Sequence, residues 1–271
     1  RALRLRQTTM MILRSITRWP GRAMVTLLGV MTSVAVLVAS FFTFDAVARI
    51  AEEMFDQANR QHVTLTLSGA RGLAVVDDAL TLPGVRLAEA GFAIPVELAA
   101  GHLSRRVTLQ ARAAEDRLSR LIDEAGAAVA LPAQGLVLPH GLARELRLSP
   151  GDNVTLRLLV PPRESHEVTV AAIVRQTMGQ EAHIAAPALF ALMRQAPQVN
   201  HLHLLVDTDR LADLHARVKE TPAIAGLVLW TDVRARFDAT IEENLTTMTL
   251  IYSVLGMLIT IGVIYNAARI Q

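Results

Sequence analysis

The stretch AMVTLLGVMTSVAVLVASFFTF, residues 23–44, contains no charged side chain over 22 positions. As an α-helix it would be roughly 33 Å long, enough to cross a hydrocarbon core of about 30 Å. A second uncharged stretch, LTTMTLIYSVLGMLITIGVIYNAA, fills the 24 positions from Leu245 to Ala268. Two such stretches are unusual for buried helices of a soluble protein, and the first is too long for a signal peptide and lacks its cleavage pattern. The sequence therefore predicts two transmembrane helices.

Arginines indicate the orientation of these helices. Six of them precede the first stretch, with no acidic residue among them: Arg1, Arg4, Arg6, Arg14, Arg18 and Arg22. Because basic residues are retained on the cytoplasmic side, the N-terminus is expected in the cytoplasm, with Arg14, Arg18 and Arg22 as topology anchors. The second helix returns the chain to that side. The expected location is the bacterial inner (plasma) membrane, multi-pass, with a large periplasmic or extracellular domain.

Residues 1–21 have the pattern of an amphipathic helix on the cytoplasmic side. At 100° per residue four apolar side chains share one face, opposite the arginines: Leu5, Ile12, Ile16 and Trp19. Such a helix lies among the lipid headgroups or packs on a partner protein, and the sequence leaves both interpretations open. Pro20 and Gly21 end it before the first span.

Each predicted span has a charged, amphipathic extension toward the outer domain. Val47, Ile50 and Met54 keep to one helical stripe after the first span, up to about residue 60, and Phe237 and Ile241 do so before the second. These five side chains are expected to pack two stalk helices. The expected divisions are a cytoplasmic interfacial helix (1–21), the first transmembrane helix with its stalk (22–60), a periplasmic α+β domain (61–229), and the second stalk with its transmembrane helix (230–271).

Between the stalks the hydrophobic pattern changes to the two-residue period of strands. Alternation predicts strands over residues 62–68, 106–111, 153–160, 167–174 and 201–206. Helical patterns fall near 73–80, 114–123, 140–146, 186–194 and 209–219, with turns at 83–84, 150–152 and 161–162. The expected fold class is a membrane protein in which two transmembrane helices with stalk extensions flank an α+β extracytoplasmic domain.

The sequence offers little that would carry chemistry. It has no glycine-rich phosphate loop followed by Lys and Ser or Thr, so the chain is not expected to hydrolyse nucleotide itself. Cysteine is absent, which excludes disulfides and thiolate metal sites. His201 and His203 have the spacing of a metal pair on one side of a strand, but no third ligand accompanies them, and exposed strand positions are the expectation. No catalytic, cofactor-binding or metal-binding residue is predicted, and an enzyme is not expected.

Three stretches, in this order, carry a resemblance to a known family: LRSITRWPGRAMVTLLGV (13–30), GLVLPHGLARELRLSPGDNVTL (135–156) and MLITIGVIYNAARIQ (257–271). Together they resemble the MacB/FtsX-type ABC transporter permeases, which are related to the lipoprotein-releasing permeases. The matching positions are a short glycine-led strand at Gly135 to Leu138, a helix–turn–strand from Leu142 to Val154, and a closing motif from Asn266 to Ile270. The resemblance covers nearly the whole chain.

The resemblance implies the permease subunit of an ABC transporter. A separate cytoplasmic ABC ATPase would bind ATP, and this chain, with no cofactor of its own, would couple it to motion of the periplasmic domain. The implied role is export or extraction of a lipoprotein, lipid, peptide or drug. Implied partners are the ATPase, membrane lipids, a second permease half or a homodimer, and a periplasmic protein, but no nucleic acid. In this family a coupling helix and two further spans follow the closing motif, so one repeat of a longer permease is expected.

A different class of protein has the same topology. A two-span membrane sensor also begins in the cytoplasm and carries a periplasmic ligand-binding domain between its spans. It would continue beyond the second span into a signalling region. The amphipathic stretch at residues 1–21 favours the permease, because a sensor has no need of such a helix.

Overall fold

The computed structural model of the protein describes residues 20–176 and 179–268. Its contacts divide the chain into two compact units. The described residues up to Ala48 and those from Arg236 onward form one unit, and Arg49–Ala235 forms the other. In chain order the elements are α1 (Pro20–Glu52), a π-helical turn (Glu53–Ala58), β1 (Val63–Gly72), α2 (Val75–Leu80), β2 (Val85–Ala100), β3 (Leu103–Arg112), β4 (Leu136–Pro139), α3 (His140–Leu146), β5 (Asn153–Leu158), β6 (Ser165–Val174), β7 (Ala182–Ala185), α4 (Ala186–Met193), β8 (Gln198–Val206), a 3₁₀ turn (Thr208–Arg210), α5 (Leu211–Lys219), β9 (Ile224–Leu229) and α6 (Trp230–Ala268).

The two uncharged stretches lie in the two longest helices, α1 with 33 residues and α6 with 39. Their described apolar side chains are largely exposed, as with Leu27 at 60% and Met257 at 66%. A Cβ atom added to Gly29 would lie 3.8 Å from Cγ2 of Ile259, so α1 and α6 approach each other closely at this glycine. Among residues 20–176 and 179–268, no helix combines the length and the apolarity needed to cross a membrane. The two transmembrane spans stay a prediction.

The predicted stalk residues are half-buried within helical structure. Val47, Ile50 and Met54 follow one another along α1 and the π-helical turn, and Phe237 and Ile241 lie one turn apart on α6. Regular α-helix ends at Glu52, earlier than the predicted residue 60, and the π-helical turn continues it to Ala58. The role of these five side chains in stalk packing stays a prediction.

Six strands of the Arg49–Ala235 unit pair in a closed ring. The second half of β2 pairs with β3, and the ring continues through β7, β4, β6 and β5 back to β2. The β3–β7 and β4–β6 pairs are parallel, and the other four are antiparallel. The ring encloses apolar side chains with no solvent exposure: Val96, Leu98, Leu109, Leu136, Leu156 and Ile184. Burial of these side chains is the main force that holds the ring together.

The stretch 135–156 forms the strand, helix, turn and strand that the resemblance implied. Gly135 has a φ of +88°, and a Cβ there would lie 2.8 Å from the carbonyl oxygen of Thr169, so the start of β4 requires glycine. Helix α3 ends in a left-handed residue, Arg147. The following turn is fixed by Asp152, whose Oδ2 accepts the backbone N–H of Ser149 at 2.7 Å. This turn directs the chain straight into β5.

A second apolar cluster lies where β8, β1 and β9 extend the first half of β2. Residues Val85–Gly91 of β2 pair with β8, and β1 pairs with both β8 and β9. Its buried side chains come from these strands and from α2 and α5: Val63, Leu65, Ala79, Leu202, Leu204 and Leu214. Strand β2 is therefore shared by this three-strand extension and the ring.

The structure confirms the five predicted strands and four of the five predicted helices. The helix near 114–123 is wrong, because that segment is irregular and its backbone groups bond elsewhere. The N–H groups of Arg117 and Leu118 donate to the Glu89 carboxylate, and that of Arg120 donates to the Ala58 carbonyl at 2.8 Å. Three strands were not expected from the pattern or the resemblance: β2, β7 and β9.

Candidate functional site

A cavity of about 970 Å³ lies within the Arg49–Ala235 unit. Residues of β1, β2, β3, β7, β8 and β9 line it, together with the irregular segment after β3 and the π-helical turn. Its volume is within the range of roughly 300–1,000 Å³ that small-molecule sites occupy. The cavity is therefore the candidate site.

The cavity forms where β2 leaves β8 and joins the ring. At this point the side chain of Asn200 replaces backbone pairing: its Oδ1 accepts the N–H of Ala93 at 3.0 Å, and its Nδ2 donates to the Ala93 carbonyl at 2.6 Å. The ring of His201 lies over Gly91, and a Cβ at this glycine would overlap the imidazole. A glycine at position 91 therefore leaves the space in which His201 faces the cavity.

His201 and His203 line the cavity with their rings edge to face, 5.0 Å apart between centroids. The Nδ1 atom of His201 lies 2.9 Å from Oδ1 of Asn200, an acceptor, so this nitrogen carries the hydrogen. The indole N–H of Trp230 donates to Oγ1 of Thr64 at 2.9 Å, and this hydroxyl in turn lies 3.3 Å from Nδ1 of His203. The hydroxyl of Thr64 therefore connects the indole of Trp230 to the imidazole of His203.

Both histidines are held in the neutral form. Burial, followed by the charge of Arg112, lowers the pKa of His201 to about 4. Burial lowers the pKa of His203 to about 3, with smaller contributions from His201 and Arg112. The expectation that these two histidines are exposed strand residues is wrong, because β2 and the neighbouring segments cover them and leave both half-buried.

Arg112 and His183 form the second polar group of the cavity. The guanidinium Nε of Arg112 donates to Nδ1 of His183 at 3.3 Å, and its Nη1 donates to the carbonyl and hydroxyl oxygens of Ser119 at 2.8 and 3.0 Å. His183 is only 3% exposed, and burial followed by the charge of Arg112 lowers its pKa to about 3. Its Nε2 has no hydrogen-bond partner among the described residues.

Carboxylates lie close to this arginine. Oδ2 of Asp116 accepts the N–H of Ala113 at 3.1 Å, and burial, reinforced by the charge of Glu89, raises the pKa of Asp116 to about 6. Burial lowers the pKa of Arg112, whereas the charges of Asp116 and Glu181 raise it. The Glu89 carboxylate already accepts the backbone N–H groups of the segment after β3, so Asp116 is the acidic group that most directly opposes an anion near Arg112.

The described residues contain no group of three or more side chains that could hold a metal ion. The cavity lining includes hydrogen-bond donors, the guanidinium groups of Arg112 and Arg120, and the carboxylates of Glu53, Asp116 and Glu181. Sequence reasoning noticed only His201 and His203 of this set. Arg112, His183 and Asp116 were missed because they belong to β3, β7 and the irregular segment, and only the parallel pairing of β3 with β7 brings Arg112 next to His183. No spacing in the sequence indicates that pairing.

A second arrangement joins the chain segments that enter and leave this unit. The rings of Phe55 and Trp230 meet edge to face at 6.2 Å, and Nη1 of Arg234 lies 2.7 Å from Oδ1 of Asp56. The Arg234 guanidinium also lies 5.8 Å from the centroid of Phe55. These four residues, Phe55, Asp56, Trp230 and Arg234, are called the entry clasp below. Of the predicted topology anchors, Arg14 and Arg18 lie outside the described residues, and the backbone of Arg22 lies in the first turn of α1.

No family model matches the sequence. No curated protein matches it either. Among solved structures, the chain is similar to the extracellular domain of the ABC-type transporter YknZ from Gram-positive bacteria, at 8% identity and a TM-score of 0.41, over 61% of this chain and 100% of that one. It is also similar to the periplasmic region of MacB from Actinobacillus actinomycetemcomitans, at 9% identity and a TM-score of 0.41, over 69% of this chain and 97% of that one.

Proposed function

We propose that the chain is the membrane (permease) subunit of an ABC transporter. A separate cytoplasmic ATPase would bind ATP, and this chain would carry the resulting motion to its outer domain for export or extraction of a substrate. The order of the three sequence motifs supports this role, and the central motif, residues 135–156, folds as the strand, helix, turn and strand that the resemblance implies.

The proposal includes the membrane topology. The uncharged stretches at 23–44 and 245–268 would span the bacterial inner membrane, and Arg14, Arg18 and Arg22 would hold the N-terminus in the cytoplasm. Replacing all three arginines with Glu is expected to disturb this orientation, since their charge sets it. Reporter fusions placed after residue 60 and after residue 235 measure the orientation, and an unchanged pattern would exclude these arginines as anchors.

The entry clasp is the observation that carries the mechanical part of the proposal. Helix α1 leads into the Arg49–Ala235 unit at one chain end and α6 leaves it at the other, and the clasp ties these two ends together. Because the ends are tied by an ion pair and a ring contact, a displacement of either helix acts on both ends of the domain. This is the arrangement that a motion relay needs, and it assigns no catalysis and no cofactor to this chain.

A test of the relay needs no knowledge of the cargo. With the partner ATPase present, ATP is expected to change the protease accessibility of the domain in the parent chain. Asp56→Ala combined with Arg234→Ala is expected to abolish that change while ATP hydrolysis continues. Arg217→Ala, which breaks another exposed ion pair (to Glu220), is the matched control and should leave the change intact. A nucleotide-dependent change that survives loss of the clasp would contradict the relay.

The cavity favours a second candidate, the two-span sensor. A site of about 970 Å³ that includes the clasp residue Trp230 is what a ligand-binding signalling domain would contain. The DNA beyond the codon for Gln271 separates the two candidates. A reading frame that continues into a charged helix and further apolar stretches of about 20 residues supports the permease. A long soluble signalling region would replace the permease proposal with the sensor.

A further inference from the structure

We propose that the cavity binds a small organic acid, with its carboxylate or phosphate at Arg112 and His203 and its apolar body against the neighbouring wall. This inference goes beyond the permease proposal and holds equally for a sensor. It concerns a bound ligand of the domain, whatever the chain transports.

The polar end of the cavity contains unpaired donors, next to the carboxylates of Asp116 and Glu181. Among the described residues, no acceptor bonds to Nη2 of Arg112, because its hydrogen bonds to His183 and Ser119 use Nε and Nη1. His183 accepts at Nδ1 and therefore carries its hydrogen on Nε2, but this buried atom has no accessible surface through which a ligand could reach it, so His183 serves to hold Arg112 in place. Nε2 of His203 is the ring nitrogen that does not contact Thr64, and it is a second donor when Thr64 donates to Nδ1.

Hydrogen bonds to an ionised group are the stronger ones, and an anion beside Arg112 would accept from its guanidinium. A neutral imidazole N–H and a guanidinium are both donors, and neither can accept. The Arg112 guanidinium and all three imidazoles line the same cavity. The group therefore favours a ligand that only accepts, as an ionised carboxylate or phosphate does.

Part of the cavity wall is apolar, and this part favours a ligand with an apolar body. Five apolar side chains of the same unit line the cavity: Ile50, Met54, Phe92, Ile94 and Met193. A bare inorganic anion would leave this wall exposed to water. An acid with a short apolar chain would cover it, and the volume of about 970 Å³ accommodates such a molecule.

Asp116 sets a limit on the affinity for an anion. Its carboxylate lies close enough to Arg112 for the two charges to interact, and it also accepts the N–H of Ala113. Removing this charge should therefore tighten the binding of an acid. A gain in affinity is a useful signature because a misfolded variant does not produce it.

The test is calorimetric titration of the full chain in lipid nanodiscs at pH 7.5, with empty nanodiscs as the blank. The probes are octanoate, octanol and octylammonium, which share a tail and differ in the charge of the head, and acetate, which has the head alone. Octanoate is expected to bind at least roughly tenfold more tightly than the other three, since only it offers both an anionic head and an apolar body.

Three variants test whether octanoate binds beside Arg112. Arg112→Gln should weaken octanoate binding roughly ten- to a hundredfold, the usual effect of losing hydrogen bonds to a charged group. Asp116→Asn should strengthen it about fivefold, the size of a solvent-screened interaction between unit charges. Arg106→Gln, an exposed arginine on the same strand β3, is the control and should change nothing.

The proposal is overturned if octanol or octylammonium binds as tightly as octanoate, or if octanoate shows no saturable binding above the blank. It is also overturned if Asp116→Asn leaves the affinity unchanged or weakens it. This last arm keeps the test decisive even where Arg112→Gln does not fold.

Discussion

Acidification should destabilise the Arg49–Ala235 unit strongly, because three of its histidines, one buried and two half-buried, are held as neutral rings. Their pKa values in the folded protein are about 3 for His183, about 4 for His201 and about 3 for His203. In the unfolded chain a histidine titrates near 6.5. Between pH 6.5 and about 4 the unfolded chain therefore binds more protons than the folded one, and the free energy of unfolding falls as the pH falls.

Asp116 acts in the opposite direction over part of this range. Its pKa is raised to about 6 in the folded state from 3.8, so between these values the folded protein binds a proton that the unfolded chain does not. Near pH 5.5 the three histidines contribute almost three protons taken up on unfolding and Asp116 removes most of one, which leaves a net uptake of about two. Integrated from pH 7 to pH 5, the expected loss of stability is about 4 kcal/mol.

Urea unfolding of the full chain at pH 7, 6 and 5 measures this loss. Trp230 lies in the entry clasp, and a Trp19→Phe background leaves it as the single tryptophan and hence as the fluorescent probe. The midpoint should decrease with pH while the dependence on urea concentration stays constant, because the surface exposed on unfolding does not change. His203→Gln should reduce the pH dependence by about one proton, and Asp116→Asn should increase it by almost one.

Two results would refute this reasoning. A midpoint that is constant or rises between pH 7 and pH 5 would mean that the histidines are not buried as neutral rings. A falling midpoint that neither His203→Gln nor Asp116→Asn alters would assign the effect to other groups. The opposite signs of the two variants make the second result distinguishable from general destabilisation.

Three further sets of substitutions test the core of the strand ring, the backbone at Gly135 and the entry clasp. Leu156→Ala removes a side chain with no exposure from the ring, and urea unfolding should show a loss of about 2–5 kcal/mol; a loss below about 1 kcal/mol would contradict its place in the core. Gly135→Ala forces a side chain onto a residue with φ of +88°, so thermal unfolding should show a loss of about 1–3 kcal/mol, whereas Gly72→Ala, with nothing within 4 Å, is the control. A double-mutant cycle of Asp56→Ala and Arg234→Ala should give a coupling of about 0.5–1 kcal/mol, and zero coupling would mean that the ion pair does not hold the clasp.

The parts of the fold that follow from local patterns were predictable from the sequence. The strand from Asn153 and the helix from His140 each bury one face, and their two- and four-residue periods are visible in the letters. Strand β2 was missed because its alternation is broken at Gly91 and Phe92, two adjacent buried residues, where the strand changes partners from β8 to the ring. When strict alternation is the criterion for a strand, such a break marks the end of the strand.

The candidate site was less predictable for a different reason. Its donors come from positions 112, 183 and 203, and their meeting depends on the parallel pairing of β3 with β7 and on the shared strand β2. Four-residue strand β7 has no alternation, because Ala182, His183 and Ile184 are all buried. In the sequence, a histidine in such a strand has the same apolar neighbours as an ordinary core residue. Only the fold shows that Arg112 donates a hydrogen bond to it.

Trp230 belongs both to the entry clasp and to the cavity. Its ring contacts Phe55 in the clasp, and its indole N–H begins the hydrogen-bond chain through Thr64 to His203. A ligand that bonds to Nε2 of His203 therefore acts on a ring whose other nitrogen is connected to the first residue of α6. The physical consequence is reciprocal: if ligand binding shifts Trp230, then a shift of Trp230 changes ligand affinity by the same free energy. If it does, ligand occupancy and the first residue of α6 are linked through this one side chain, and Trp230→Phe, which keeps the ring contact and removes the N–H donor, separates the two roles.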